Sequence, residues 1–350
     1  MQKSKTPSLT HQSLSEDSAK DIKKAAKGAG ISFIASAMGR CLFFVYQVII
    51  ARYFSIEIFG LFTLGLTIIR IADILARLGI NTGAMRFVSI YQKDDPERVK
   101  GVLISSSIIS FISGIVFGGL IYFYAGYIAE LVFHKPGLKD VIKTFAPCVP
   151  FMGTMLVIAF ASQGFHTTKY TALIKDIIQP AANIVLTILF LYLGFGIAWI
   201  ITAFTISYAI ALLIGFYFIT KQFPGIKKKT TKPVYETKNL LRYSVPLLFG
   251  GFLYFLLFWT DTIMLGYMKS SADVAIYRAA AQIPAFLTLL LMAFDSIYAP
   301  VIAEMHHLGQ IERMGHIFKT TTRWGFLLAL PVTIVIVFSS CEIMAIFGTD

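Results

Sequence analysis

The sequence predicts an all-α polytopic membrane protein built from two six-helix lobes in parallel repeat, with the second lobe incomplete. Three observations indicate this fold. Hydrophobic residues make up 56% of the chain and charged residues only 14%, well below the share of about 25% in soluble domains. About nine apolar runs approach the ~20 residues that cross ~30 Å of hydrocarbon. The third observation is an internal repeat of sequence pattern.

The predicted spans follow from apolar runs between polar breaks. They include the six of a first lobe, residues 28–219, and three of a partial second lobe, residues 243–350. A basic linker, residues 220–242, separates the lobes, and residues 1–27 form a polar tail that we expect to be solvated and disordered. The predicted spans are 29–51, 58–79, 101–123, 143–163, 171–193, 197–219, 243–267, 274–299 and 324–346.

The distribution of Lys and Arg predicts the orientation. With the N-terminus in the cytoplasm, 22 of the 31 basic residues fall in cytoplasmic segments, among them seven in the linker. Six fall on the outer side: Arg52, Lys135, Lys139, Lys143, Lys269 and Arg278. We therefore expect a multi-pass protein of the cytoplasmic membrane. The net charge of +12 follows from this topology and needs no nucleic-acid partner.

The repeat has an offset of about 215 residues. "QVIIARYFSIEIFGLF" (47–62) matches "DTIMLGYMKSSADVAIY" (261–277) in pattern, with Glu57 and Asp273 at the same point. "ERVK" (97–100) and "ERMG" (312–315) follow at nearly the same distance. A fixed offset indicates a duplicated unit. Because three clear spans follow the linker, we expect the chain to be truncated or its last lobe to be incomplete.

A polar stripe runs along the second predicted span. Arg70, Asp73 and Arg77 share one helical face with Thr63 and Thr67. Each charge costs about 2.5–3.5 kcal/mol at the bilayer centre. The i,i+3 and i,i+4 spacings let Asp73 pair with either arginine. Arg77 could instead snorkel to the interface, and Arg70 with Asp73 could form a structural clasp.

Other spans add polar faces. Arg40 and Gln47 share a face of the first span, Asn183 lies with Asp176 in the fifth, and Asp261 lies in the seventh. An offset of 215 from the charged positions of the first lobe lands on uncharged residues: Phe255, Ala285, Thr288 and Met292. This asymmetry favours a functional cationic cavity in the first lobe over a purely structural role for the charges.

The residues resemble one family. "GRCLFFVYQVIIARYFSIEIFGLFTLGLTI", "LGINTGAMRFVSIYQ", "SVPLLFGGFLYFLLFWTDTIMLGYMKSSADVAIYRAAAQIP" and "RWGFLLALP" are similar to prokaryotic polysaccharide-biosynthesis flippases. These belong to the multidrug, oligosaccharidyl-lipid and polysaccharide exporter (MOP) superfamily. The resemblance implies two lobes around a central cavity, alternating access, and a polyprenyl-pyrophosphate-linked glycan as substrate, such as a lipopolysaccharide O-antigen unit. It further implies basic residues in that cavity.

We therefore expect a flippase and no enzyme. The expected substrate-binding residues are Arg40, Arg70, Arg77, Gln47 and Asn183, because permanently charged guanidinium groups pair with pyrophosphate. A drug exporter of the same superfamily is one alternative, although its cavity for organic cations should be acidic. A membrane-embedded glycosyltransferase or polymerase is the other, although the outer connections are short and poor in acids.

The coupling ion should be H⁺ or Na⁺. Asp261 is the preferred coupling residue over Asp73, because Asp73 lies between two arginines; Asp261 could equally be a solvated carboxylate near the outer surface. We expect no metal site, no other cofactor and no catalytic residue. The expected partners are the lipid-linked glycan and membrane lipids; we also expect a monomer that associates with polysaccharide assembly machinery.

Overall fold

The computed structural model describes residues 9–226, 231–284, 288, 302, 305 and 310–348, and every regular element in these ranges is helical. The α-helices are α1 (Leu9–Tyr53), α2 (Ile56–Arg77), α3 (Ile80–Tyr91), α4 (Pro96–Tyr127), α5 (Leu138–Phe145), α6 (Cys148–Gln163), α7 (Lys169–Ala172), α8 (Gln179–Tyr192), α9 (Ile197–Gln222), α10 (Thr237–Met268), α11 (Ser271–Gln282), α12 (Ile311–Phe338) and α13 (Ser340–Met344). Two π-helical segments, Ile128–Val132 and Leu173–Ile178, extend α4 and join α7 to α8.

Seven helical segments of the described chain are long and apolar enough to cross a membrane. The pair Leu138–Phe145 and Cys148–Gln163, bent by 45°, makes an eighth if it is one span. The predicted span 274–299 lies largely outside the described residues. The prediction of a multi-pass helical membrane protein is therefore confirmed.

Two segments predicted as irregular are helical. The tail was expected to be disordered, but α1 begins at Leu9, directly after the Pro7-Ser8 pair and within a stretch rich in helix-forming Ala and Lys. Part of the second connection forms α3. Left-handed backbone at Leu78 and Gly79 ends α2, and Ile80, Ala84 and Val88, at helical spacing, are then fully buried in α3.

The helix boundaries keep the repeat offset. Tyr53 ends α1 and Met268 ends α10, 215 residues later; Pro96 begins α4 and Ile311 begins α12, again 215 residues later. The short turns are also alike, because Ser55 and Ser270 each cap the next helix with the side-chain oxygen. These shared boundaries support the duplication, while the division into two lobes stays a prediction.

An aromatic cluster ties the N-terminal helices α1–α9 together. Tyr46, Phe62, Phe145 and Phe204 come from four different helices, and each is at most 2% exposed. Their ring centroids lie 5.3–6.2 Å apart around the cluster. Such edge-to-face and tilted pairs add about 0.5–1.5 kcal/mol each beyond burial. The cluster fixes α1 and α2, the helices that carry the predicted arginines.

Glycines let helices approach closely at the GxxxG pair of Gly114 and Gly118. A Cβ on Gly114 would lie 2.4 Å from the Cα atom of Pro150, and a Cβ on Gly118 would lie 2.8 Å from the carbonyl oxygen of Ala146. The motif therefore packs α4 against the bend between α5 and α6, as small residues do in membrane helix pairs.

The C-terminal helices α10 and α11 pack along α2. At one end of the bundle, a Cβ on Gly60 would lie 1.8 Å from the carbonyl oxygen of Ser271. At the other end, which we call the linker end because residues 231–236 lie there, a Cβ on Gly79 would lie 2.2 Å from the carbonyl oxygen of Ser244. Val234 in the linker donates its N–H to the carbonyl of Glu97 at 3.1 Å. Helix α2 thus contacts the C-terminal helices at both ends.

Two basic side chains cross between the groups of helices at the end opposite the linker. The Lys135 ammonium group donates to the carbonyls of Gly266 at 2.5 Å and Lys269 at 2.7 Å, at the C-terminus of α10. The Arg52 guanidinium group donates to the carbonyl of Ile346 at 2.8 Å, just beyond α13. Cations at helix C-termini complement the helix dipole and the unpaired carbonyls. Burial lowers the pKa of Lys135 below its usual value.

We predict that Gly60→Ala destabilises the protein. The added methyl group must push α11 away from α2, and overpacking of this kind costs about 1–3 kcal/mol. Gly119→Ala is the matched control, because Gly119 lies in α4 with nothing within 4 Å of the new Cβ. Thermal unfolding of the purified protein in detergent should show a lower midpoint for Gly60→Ala only. Equal midpoints for the two variants would contradict the close contact between α2 and α11.

Candidate functional site

A large cavity lies between the N-terminal helices and the pair α10 and α11. Its volume is about 1460 Å³, and its lining includes Ser36 of α1, Asn81 and Thr82 of α3, and Leu247 of α10. These residues lie toward the linker end of the bundle. At the opposite end, α2 contacts α11 and α10 directly through Gly60 and Gly266. The cavity therefore extends toward the linker end.

The charged lining is predominantly basic. Five basic residues line the cavity: Arg40, Arg70, Arg77, Lys175 and Arg278. Three acidic residues line it: Asp73, Asp176 and Asp261. The formal charge of the wall is therefore +2, and this excess suits an anionic ligand.

Arg70 is held by aromatic rings. Its Cζ atom lies 5.6 Å from the centroid of Phe43 and 5.0 Å from that of Trp259, distances typical of cation–π contacts. The Nε atom is buried without a hydrogen-bond partner in the described part of the chain. The predicted clasp between Arg70 and Asp73 is wrong, because the carboxylate of Asp73 pairs with the other arginine.

Asp73 and Arg77 form an ion pair. The Arg77 Nη2 atom lies 3.0 Å from Asp73 Oδ2, and the side chains are 17% and 2% exposed. The Arg77 Nε atom also donates to the backbone carbonyl of Asp73 at 3.3 Å. The other carboxylate oxygen, Oδ1, is buried without a partner among the described residues. Arg77 thus turns back along α2 toward Asp73, and its charge is largely offset there.

Arg40 joins the two groups of helices. Its Nη1 atom donates to Thr288 Oγ1 at 2.5 Å. On the neighbouring turn of α1, the Ser36 hydroxyl donates to Asp176 Oδ2 at 3.2 Å. Asp176 lies in the π-helical segment Leu173–Ile178, where Pro180 supplies no N–H to the carbonyl of Asp176. A Cβ on Gly39 would lie 2.7 Å from that carbonyl, so α1 and the π-helical segment are in close contact.

The other predicted residues are placed as follows. Asn183 lines the cavity, is 3% exposed, and its Oδ1 atom has no partner in the described chain. Gln47 is also buried, at 4% exposure, but it is not part of the lining. Asp261 lines the cavity wall and accepts a hydrogen bond from the Tyr277 hydroxyl, so it is not a carboxylate fully exposed at the outer surface.

Arg278 was missed by the sequence analysis, which placed it in an outer connection. It lies in α11, lines the cavity, and its Cζ atom is 4.0 Å from the Trp259 centroid. The cationic lining is therefore contributed by the N-terminal helices and by α11, and it is not confined to the predicted first lobe. The repeat offset could have identified this position, because 215 residues earlier lies Thr63, a member of the polar stripe.

Comparison with known proteins identifies the family. The sequence profile of the polysaccharide biosynthesis protein family matches residues 25–306. Stage V sporulation protein B of Bacillus subtilis (strain 168) is 22% identical over an alignment that covers 93% of this chain and 67% of that protein.

Solved structures share the fold. A MOP superfamily transporter from Pyrococcus furiosus superimposes with a TM-score of 0.65 at 16% identity, covering 93% of this chain and 75% of that one. An inward-facing multidrug resistance transporter of the MATE family superimposes with a TM-score of 0.61 at 15% identity, covering 92% and 71%. The chain belongs to the polysaccharide biosynthesis protein family, and it shares the fold of membrane transporters of the MOP superfamily.

Proposed function

We propose that this transporter moves a polyprenyl-pyrophosphate-linked oligosaccharide or polysaccharide repeat unit from the inner to the outer leaflet of the cytoplasmic membrane. The observation that carries the proposal is the basic cavity wall, which has a formal charge of +2 and to which Arg40, Arg70 and Arg278 contribute three guanidinium groups. In this proposal the three guanidinium groups bind the pyrophosphate, and the polyprenyl chain stays in the bilayer.

The chemistry of the pyrophosphate linkage suits the three guanidinium groups. A pyrophosphate crossing a low-dielectric layer needs cations that stay charged, and arginine offers planar donors for bidentate contact with phosphate oxygens. The volume of about 1460 Å³ exceeds the 300–1,000 Å³ of most small-molecule pockets. It leaves room for sugar residues beside the pyrophosphate. Asn183, with a buried carbonyl oxygen free to accept, is a candidate partner for sugar hydroxyl groups.

The competing function is export of a drug or other small molecule, since solved relatives include multidrug transporters. Organic cations would be attracted to an acidic wall and repelled by this one. The Pyrococcus furiosus transporter is itself described by a reverse polarity of its binding pocket that suggests a different function. The sign of the cavity charge therefore favours an anionic substrate here.

The predicted orientation of the chain would also indicate which conformation of the transport cycle the structure represents. With the N-terminus in the cytoplasm, the linker end faces the cytoplasm and the cavity opens inward. The contacts of Lys135 and Arg52 would close the outer side. This is the form in which a lipid-linked precursor made at the inner leaflet could enter.

We predict that Arg40→Ala in the full-length protein abolishes glycan export in cells while protein levels stay near normal. Hydrogen bonds to charged groups contribute about 1.5–3 kcal/mol each, so losing this guanidinium should weaken pyrophosphate binding about 10- to 100-fold. Export is measured as glycan that reaches the cell surface.

Arg313→Ala is the control for Arg40→Ala. Arg313 lies in α12, and its guanidinium group contacts the Gln310 side chain, away from the cavity lining. Export by Arg40→Ala at the wild-type rate would overturn the assignment. Loss of the folded protein would instead support a structural role for Arg40. Resistance to cationic dyes without any glycan export would favour the drug-exporter alternative.

Ion coupling is the second part of the proposal. A coupling ion must bind the two conformations with different affinity, since a ligand with equal affinity for both shifts nothing. Asp261 meets the requirement for position, because it faces the cavity from α10 and contacts Tyr277 of α11. Asp73 is engaged by Arg77 within α2. We therefore assign coupling of H⁺ or Na⁺ to Asp261 and substrate-site support to Asp73.

We predict that Asp261→Asn weakens the dependence of transport on pH or sodium. Asp73→Asn should leave that dependence but impair substrate binding, because Arg77 loses the carboxylate that positions its side chain along α2. Transport into proteoliposomes under imposed ion gradients measures both effects. Asp94→Asn, an exposed acid in the connection before α4, serves as the control. Unchanged ion dependence in Asp261→Asn would remove the coupling role and leave the anion site intact.

The orientation is tested by cysteine labelling. In a variant lacking Cys41, Cys148 and Cys341, a cysteine at Lys232 should resist a membrane-impermeant maleimide in intact cells, because we place the linker in the cytoplasm. A cysteine at Lys139, an exposed residue near Glu130 at the other end, should react. Modification at 232 and protection at 139 would reverse the topology.

A further inference from the structure

We propose that Trp259 is the positioning residue of the anion site, because it holds Arg70 and Arg278 as a pair whose guanidinium groups donate no hydrogen bond to another described residue. The inference rests on the proposed function, since it assigns a role in binding the pyrophosphate. It concerns an uncharged residue that contacts both cations without competing for the ligand.

One aromatic ring contacts two cations. The Arg278 Cζ atom lies 4.0 Å from the Trp259 ring centroid and the Arg70 Cζ atom lies 5.0 Å from it. The two guanidinium carbons are therefore at most about 9 Å apart, the sum of these distances. Arg70 comes from α2, whereas Trp259 and Arg278 come from α10 and α11. The ring thus brings together cations from both groups of helices.

The Trp259 ring is itself packed against a second aromatic ring. Phe255, one helical turn earlier in α10, is 6% exposed and stacks on Trp259 with centroids 5.7 Å apart and planes 5° from parallel. The Arg70 guanidinium also contacts the ring of Phe43, with the Cζ atom 5.6 Å from the ring centroid. Phe43, Arg70, Trp259 and Arg278 therefore alternate as aromatic, cation, aromatic, cation.

The physical role follows from what each partner does to a guanidinium group. Two like charges this close repel each other, and the negative face of an indole ring attracts both. A carboxylate would also hold an arginine in place, but it would neutralise the charge and occupy the N–H donors, as Asp73 does for Arg77. A ring contact leaves the positive charge and the edge donors available to phosphate oxygens.

The acids near Trp259 are engaged elsewhere. Asp261 accepts from the Tyr277 hydroxyl and, at 3.2 Å, from the Thr262 hydroxyl. Asp73 pairs with Arg77, and Asp176 accepts from Ser36. No carboxylate forms an ion pair with Arg70 or Arg278 within the described ranges. The aromatic ring is accordingly the contact that Arg70 and Arg278 share.

The test measures binding of inorganic pyrophosphate to the purified full chain in detergent, at matched ionic strength. Trp259→Leu, which removes both cation–π contacts, should weaken binding by about 5- to 30-fold. Trp259→Phe keeps an aromatic face and should stay within about threefold of wild type. Trp199→Leu is the matched control, because this tryptophan of α9 stacks on Phe195 and is not part of the cavity lining. It should leave the affinity unchanged.

A spectroscopic measurement reports on the same contact. The chain has three tryptophans, so Trp199→Phe with Trp324→Phe leaves Trp259 as the single emitter. Pyrophosphate should change the fluorescence emission of Trp259 in a saturable way, because the ligand binds the arginines that contact the ring. The change should disappear when Arg70→Gln and Arg278→Gln are added. A merely structural tryptophan would not respond to the ligand.

The outcomes separate the two proposals. If the arginine variants lose pyrophosphate binding but Trp259→Leu binds like wild type, the positioning role is overturned and the anion site stands. If the arginine variants bind like wild type, the proposed function itself fails. If Trp259→Leu gives no monodisperse protein, the emission titration tests the positioning role instead. Emission of Trp259 that does not change with pyrophosphate would overturn the inference.

Discussion

The structure depends on how positively charged side chains are stabilised in the hydrophobic interior of the membrane. A charged side chain at the bilayer centre is costly, so each cation needs a partner that offsets its desolvation. The partners here are of three kinds: a carboxylate for Arg77, a hydroxyl group for Arg40, and aromatic rings for Arg70 and Arg278. The carboxylate cancels the charge of Arg77, whereas the ring contacts preserve the charges of Arg70 and Arg278. The wall therefore keeps a net positive charge that a ligand can use.

Helix α2 carries this arrangement because it is the helix that both groups share. Its aromatic core residue Phe62 packs on Phe145 and Tyr46 of the N-terminal helices. Its glycine at 60 and the Gly79 that follows it contact α11 and α10 at opposite ends of the bundle. Between these two contacts the helices separate, and the cavity occupies the gap. The charged residues of the polar stripe, Arg70, Asp73 and Arg77, line this space.

Much of the fold could be predicted from the sequence, because hydrophobic length and the 215-residue offset reflect simple physical requirements. The turns at Ser55 and Ser270 fall where the repeat places them.

The site was predicted less completely. Arg40, Arg70, Arg77 and Asn183 were found because polar residues inside apolar runs are conspicuous. Arg278 was missed because it follows a polar turn, where a basic residue looks like part of a connection. Trp259 was missed because an aromatic residue in a membrane helix carries no signal of its own. The choice of Arg77 over Arg70 as partner of Asp73 depends on side-chain packing, which spacing along one helix does not determine.

The shared site has a consequence for how substrate binding and conformational change would be linked. Arg70 belongs to α2, while Arg278 and Trp259 belong to the C-terminal pair of helices. An anion that accepts from both guanidinium groups would relieve their mutual repulsion and bind the two groups of helices to each other. Such a ligand would bind more tightly to a conformation in which the two cations are close than to one in which they are apart. Only a difference in affinity of this kind can shift the equilibrium between the two conformations. A site confined to one lobe could bind pyrophosphate equally well in every conformation. Placing the cations on both sides of the interface makes binding of the anion itself sensitive to the relative position of the helices.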